Sequence, residues 1–160
     1  FAADLDVTNL MRNVFRHPRF GDGTSRQNLV KEPVSWMVGL LRAVGVRPDQ
    51  LTVTGPQPIN TLRSLNQEPF APPSVGGWPN NNAWLSTTSA TNRVQFAAGV
   101  AANARLDWLE GQPAAARPDA LAARLGVDGW TATTRAALRR APNPRTQLTL
   151  AAVSPDYVLA

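Results

Sequence analysis

Six residues in the middle of the chain carry side chains able to do chemistry: Trp78, Trp84, the consecutive Asn80, Asn81 and Asn82, and Arg93. Flat indole faces stack on pyranose rings while amides and a guanidinium bridge hydroxyls, so the set suits a sugar ligand. The same residues also read as structure, the tryptophans plugging a core between helices and the asparagines making turns. The sequence leaves both readings open, and exposure of the two indoles separates them. Within the loop, Val75 and Trp78 are expected to insert into the body. Asn80 to Asn82 are expected at the surface, with Trp84, which follows them, the more exposed indole.

Other chemistry finds little support. Glycoside hydrolysis needs two carboxylates about 5–10 Å apart, yet the only glutamates are Glu32, Glu68 and Glu110, and the aspartates sit mostly at helix starts and turns. Ser74 lies in PSVGG, which lacks the G-x-S-x-G elbow, and the single histidine, His17, is far away in sequence. With one histidine and no cysteine, disulfides are excluded and a zinc or haem site has no ligand set. The expectation is therefore no catalytic residue, no metal ligand and no cofactor in this segment. The net charge of +5 comes from fifteen arginines and one lysine, Lys31, spread along the chain, with only Arg139 and Arg140 adjacent. That dispersal is what a high-GC genome yields, and it argues against nucleic acid as a partner.

The elements that must position these residues are helices. At 160 residues the chain is one domain long. From Asp4 to Arg16, Val7, Leu10, Met11, Val14 and Phe15 fall at i, i+3, i+4, i+7 and i+8 of one helix face, with Asp4 or Asp6 as cap. His17-Pro18 ends that helix and places His17 as a cation at its C-terminus. Pro33 to Ala43 is apolar nearly all round and reads as a buried core helix closed by Gly45, with Trp36 and Leu40 deep inside. A turn at Thr54-Gly55-Pro56 leads to a short helix from Pro58 to Leu65. Glu68 to Arg93 then gathers Pro69, Pro72, Pro73, Pro79, Gly76 and Gly77 into a stiff, ordered loop that is neither helix nor strand.

After the loop, Val94, Ala97, Val100, Ala101 and Ala104 share a helix face, small enough for close approach, in a helix that runs on through Trp108 and Leu109 to Gly111. PAAARP, from Pro113 to Pro118, reads as a flexible or polyproline-like connector. Three short helices follow, from Asp119 to Leu125, Thr131 to Ala141 and Thr146 to Val153. No stretch alternates long enough for a sheet. The fold class is all-α: an irregular helical bundle over residues 1–160 with a long Pro/Gly/Trp-rich loop, little or no sheet, and room for a sub-bundle at 117–160.

In that order, a helix ending F-x-H-P-x-F, then VKEPVSWMVGLLRAVG, then PFAPPSVGGWPNNNAWL with Arg93 downstream, and a terminal SPDYVLA resemble the C-terminal part of the bacterial family of domain of unknown function 1800. The V-K-x-P helix and the P-P-x-V-x-G-W-P loop carry the resemblance from about Asp4 to Phe96, and Leu148 to Leu159 extends it. The family's full-length members are longer, with histidine-rich and acidic motifs upstream of the matched region. The resemblance implies an exported or envelope protein by analogy, without naming a reaction. A start at Phe1 fits a removed leader or a piece of a longer chain, and no run of about twenty apolar residues offers a membrane span. The functional expectation is a structural or interaction module whose partner is the remainder of its own chain, or else a protein or glycan. The alternative is a carbohydrate-binding or hydrolytic assembly whose catalytic residues lie upstream.

Overall fold

The computed structural model describes residues 6–22, 28–51 and 57–159. Among them the chain forms ten α-helices and no strand, so the all-α expectation holds. The Thr54-Gly55-Pro56 turn falls outside the described residues.

Helix α1 (Val7–Arg16) begins where Asp6 accepts the backbone N–H of Asn9, 3.0 Å away. It ends at His17, as the following proline requires. The Nδ1 of His17 accepts the N–H of Arg19 at 3.2 Å, which closes the turn after the helix. Although its apolar residues keep the spacing of a buried face, α1 buries none of them.

Helix α2 (Pro33–Val44) opens on proline and closes on Gly45, whose φ of 69° is the left-handed conformation that glycine adopts without strain. Trp36 and Leu40 are fully buried. Its outer stripe, Ser35, Val38 and Arg42, is exposed, so the helix is less enclosed than its composition predicts. A short α3 (Pro48–Leu51) and α4 (Pro58–Ser64) follow; Leu62 and Leu65 enter the core while Ile59 stays outside.

The central long helix is α5 (Thr87–Asn103), capped by Ser86, whose Oγ accepts from Ser89 N–H at 3.1 Å. It takes in Thr87 to Arg93, so the stretch from Glu68 expected to be neither helix nor strand is irregular only up to this cap, with a 3-10 turn inside it at Asn81–Trp84. It stops earlier than the sequence predicts. Asn103 turns its amide back onto the carbonyl of Gly99 (2.9 Å), Ala104 becomes extended, and the Trp108-Leu109 stretch forms a separate turn, α6 (Asp107–Glu110). Asparagine competes with the helix ladder in this way because its short amide reaches the local backbone. The predicted connector is likewise corrected: Ala116 N–H bonds the carbonyl of Pro113 at 2.8 Å, and α7 (Arg117–Leu125) starts at once with Pro118 buried in its first turn.

Helices α8 (Ala132–Arg140), α9 (Pro144–Val153) and α10 (Pro155–Val158) complete the bundle, with side-chain caps from Thr131, Asn143 and Ser154. The broadest helix contact joins α5 to α9. Arg145, in the first turn of α9, donates to the carbonyls of Ala101 and Ala102 at the end of α5, so the two run antiparallel and a cation satisfies the helix's orphan acceptors. Small residues, Ala97 and Ala101 on α5 with Ala151 and Ala152 on α9, are buried and let the backbones approach. Trp36 ties α2 to both: its ring lies 5.8 Å from that of Phe96, and its Nε1 donates to the carbonyl of Ala152 at 2.8 Å.

Candidate functional site

The side chains of chemical interest gather around a three-residue extended strip, Val30-Lys31-Glu32, that precedes α2. A strip of this kind exposes backbone donors and acceptors that must be met from elsewhere. Val30 N–H donates to Asn81 Oδ1 at 3.0 Å, Lys31 N–H to the carbonyl of Val158 at 2.8 Å, and the carbonyl of Lys31 accepts from Arg93 Nη2 at 3.3 Å. Val30 and Leu159 form an isolated antiparallel bridge. Gln67 closes the other end, its Oε1 accepting Val34 N–H at 2.8 Å and its Nε2 donating to Glu32 at 3.2 Å. The loop, the middle of α5 and the chain's last turn therefore meet on one strip of backbone.

Arg93 projects from α5 into this junction and is 3% exposed. Its guanidinium carbon lies 5.3 Å over the Trp36 ring, a cation–π distance. Nε and Nη1 are buried and have no hydrogen-bond acceptor, and loss of water pulls the pKa of the group below the usual arginine value. Next to it opens a cavity of about 360 Å³ between the 3-10 turn Asn81–Trp84, α5 and the α9–α10 corner. Trp84, Leu85, Arg93, Val94, Val158 and Leu159 are among its lining residues. The indole Nε1 of Trp84 is also buried without a partner.

On the other side of the strip, the Lys31 ammonium sits 4.0 Å over the Tyr157 ring. Burial lowers the pKa of Lys31 and pushes that of Tyr157 up to about 12, since each loses water around its charged form. The Tyr157 hydroxyl donates to the carbonyl of Trp36 at 3.5 Å.

The structure brings together Trp84, Asn81 and Arg93 of the six predicted residues, and it corrects the expected roles of the indoles. Trp84 is 3% exposed, whereas Trp78 is 37% exposed and Val75 fully exposed. Trp78 follows the left-handed Gly77 and donates its Nε1 to the carbonyl of Glu68 at 3.1 Å, which lays the ring along the outer loop. Trp84 instead ends a 3-10 turn anchored by Asn81, which directs its ring inward. Asn80 and Asn82 remain at the surface as expected, while Asn81, at a φ of 45°, is half-buried and holds Val30. Sequence reasoning missed Lys31, Gln67 and Tyr157. The V-K-x-P and SPDYV signals were visible, yet only the fold shows that they are two halves of one junction.

Among the described residues no group of three or more His, Asp or Glu side chains could hold a metal ion, and no helix is long and apolar enough to cross a membrane. No curated protein and no solved structure matches the chain. The family described as "Protein of unknown function (DUF1800)" matches residues 1–159, and the chain belongs to that family.

Proposed function

We propose that the chain is a structural or interaction module, with the apolar face of α1 as the surface by which it packs on the remainder of its own, longer polypeptide. The observation that carries the reading is that face. Val7, Leu10, Met11, Val14 and Phe15 are 36–61% exposed although their spacing is that of a buried stripe, and Phe20 extends it by an edge-to-face contact with Phe15 at 5.0 Å. A continuous apolar patch of this kind marks a contact surface. Arg12, Arg16 and Arg19 lie alongside in sequence, so the complementary surface is apolar with an acidic rim. Hydrogen exchange of the native gene product tests it: α1 amides are expected to be protected in the longer polypeptide and to exchange fast in residues 1–160 alone. Leu10→Glu should destabilise the former by about 2 kcal/mol and the latter hardly at all. Equal protection in both, or equal tolerance of Leu10→Glu, would sink the proposal.

A second reading, glycan contact, is favoured by the partly exposed Trp78 beside exposed Asn80 and Asn82. Chitohexaose or cellohexaose that quenches fluorescence in the native chain and not in Trp78→Ala would support it. No quenching by either sugar would end it.

A further inference from the structure

We infer that the cavity beside Arg93 is a binding site for an aliphatic monocarboxylate, a fatty acid of medium chain length. A buried guanidinium is met by acceptors in nearly every stable arrangement, because its N–H groups lose water and must regain hydrogen bonds. Here only Nη2 does so, at 3.3 Å to Lys31, and Nε and Nη1 have no acceptor. No aspartate or glutamate lines the cavity, and its walls are mainly apolar: Leu85, Val94, Val153, Val158 and Leu159.

These features select the ligand's chemistry. The guanidinium is met by the Trp36 ring and one carbonyl but by no carboxylate of the cavity wall, so it calls for one negative charge, and a carboxylate matches its fork with two parallel hydrogen bonds. A free phosphate or sulfate is too strongly hydrated to enter aliphatic walls behind a single cation. The walls ask for an apolar body, and about 360 Å³ stands at the small end of ligand pockets, which run from ~300 to ~1,000 Å³. Leu85 and Val94, about half exposed at 54% and 44%, form the mouth. Nε and Nη1 are closed to water, so a head group meets them only as the ligand's own entry displaces the apolar wall, and the site is shaped by binding.

Isothermal titration of the native chain with octanoate, and separately with 1-octanol as the uncharged control of equal length, tests the assignment. Octanoate should bind one to one and at least about tenfold tighter than octanol, the margin of a charge-assisted pair over apolar burial alone. Val94→Trp, which fills the mouth from a partly exposed position, should weaken octanoate binding by about tenfold or more with no change in melting temperature. Arg93→Gln, where it folds, should erase the preference for octanoate while leaving octanol unaffected. Equal affinity for the two ligands, absence of saturable octanoate binding, or indifference to Val94→Trp overturns the inference. A peptide with a free apolar C-terminus that binds more tightly than octanoate would overturn the small-molecule class.

Discussion

Tyr157 is the only tyrosine in the chain, so its ionisation can be followed by ultraviolet absorbance without interference from another phenol. Its ring is 3% exposed, and burial raises its pKa from 10.0 to about 12. A folded-state pKa above the unfolded value means that the folded protein holds the proton more tightly. The associated stability is fully present below pH 10 and is lost as pH rises from 10 towards 12. It amounts to about 2–3 kcal/mol. Lys31 acts in the opposite sense: its lowered pKa makes the folded state shed a proton first, so its penalty fades as pH approaches 10.5. The expected result is a single absorbance step near pH 12, or one that coincides with alkaline unfolding, and a shallower alkaline loss of stability in Tyr157→Phe. A step at pH 10 in folded protein would show that the ring is open to water. At this scale Asn81 also makes a sharp case, since it supplies both a left-handed φ and the acceptor for Val30. Asn81→Gly keeps the conformation and removes the acceptor, so a loss of about 1–2 kcal/mol in urea unfolding would assign the effect to the hydrogen bond. None of these roles was legible beforehand, because nothing local in the sequence tells which of three asparagines turns inward.

Elements were far more legible than residues, for a physical reason that α2 shows well. Pro33 at its first turn, Gly45 at its cap and the apolar run between are local signals, and local sterics alone place both ends. The inward turn of Trp84 depends on the bond that Asn81 makes to Val30 across the fold, and the helix break at Ala104 on a single amide, that of Asn103 on the Gly99 carbonyl, so periodicity and composition missed both. Trp84→Ala should accordingly cost about 3–5 kcal/mol and Trp78→Ala about 1 kcal/mol, read from urea midpoints. The reverse order would restore the sequence-based assignment of the two indoles. Between elements, Gly39 marks where α2 meets α10. A Cβ at that position would stand 3.0 Å from the hydroxyl of the buried Tyr157, which would have to give by a few tenths of an ångström. Gly39→Ala gains about 1 kcal/mol of helix propensity and loses about 1–3 kcal/mol to overpacking, so it should destabilise the native chain. In the Tyr157→Phe background, with the hydroxyl gone, the same substitution should become neutral or stabilising. Additive effects in that double-mutant cycle would show that the two residues do not touch.

On the scale of the whole molecule, the two ends of the chain carry unequal weight. Residues 155–159 close contacts with elements far away in sequence: Val158 accepts from Lys31, Leu159 bridges Val30, Asp156 accepts both the N–H and the hydroxyl of Thr131, and Tyr157 packs against Gly39. The first helix, by contrast, buries nothing. A chain ending at Ser154 gives up two buried hydrophobic side chains, Tyr157 and Val158, worth about 1.5–3 kcal/mol each. At roughly 2–4 °C per kcal/mol for a domain of this size, its melting temperature should fall by about 10–20 °C, with α2 and α8 losing their anchors together. A chain beginning at Asn28 should melt within about 2 °C of the native one. Calorimetry of the two truncations decides the matter. Equal losses would mean that α1 belongs to the cooperative core after all, and that its apolar face is not free to dock elsewhere; a large loss confined to the C-terminal truncation would place the fold's closure at the Val30-Lys31 strip and leave α1 available for a partner.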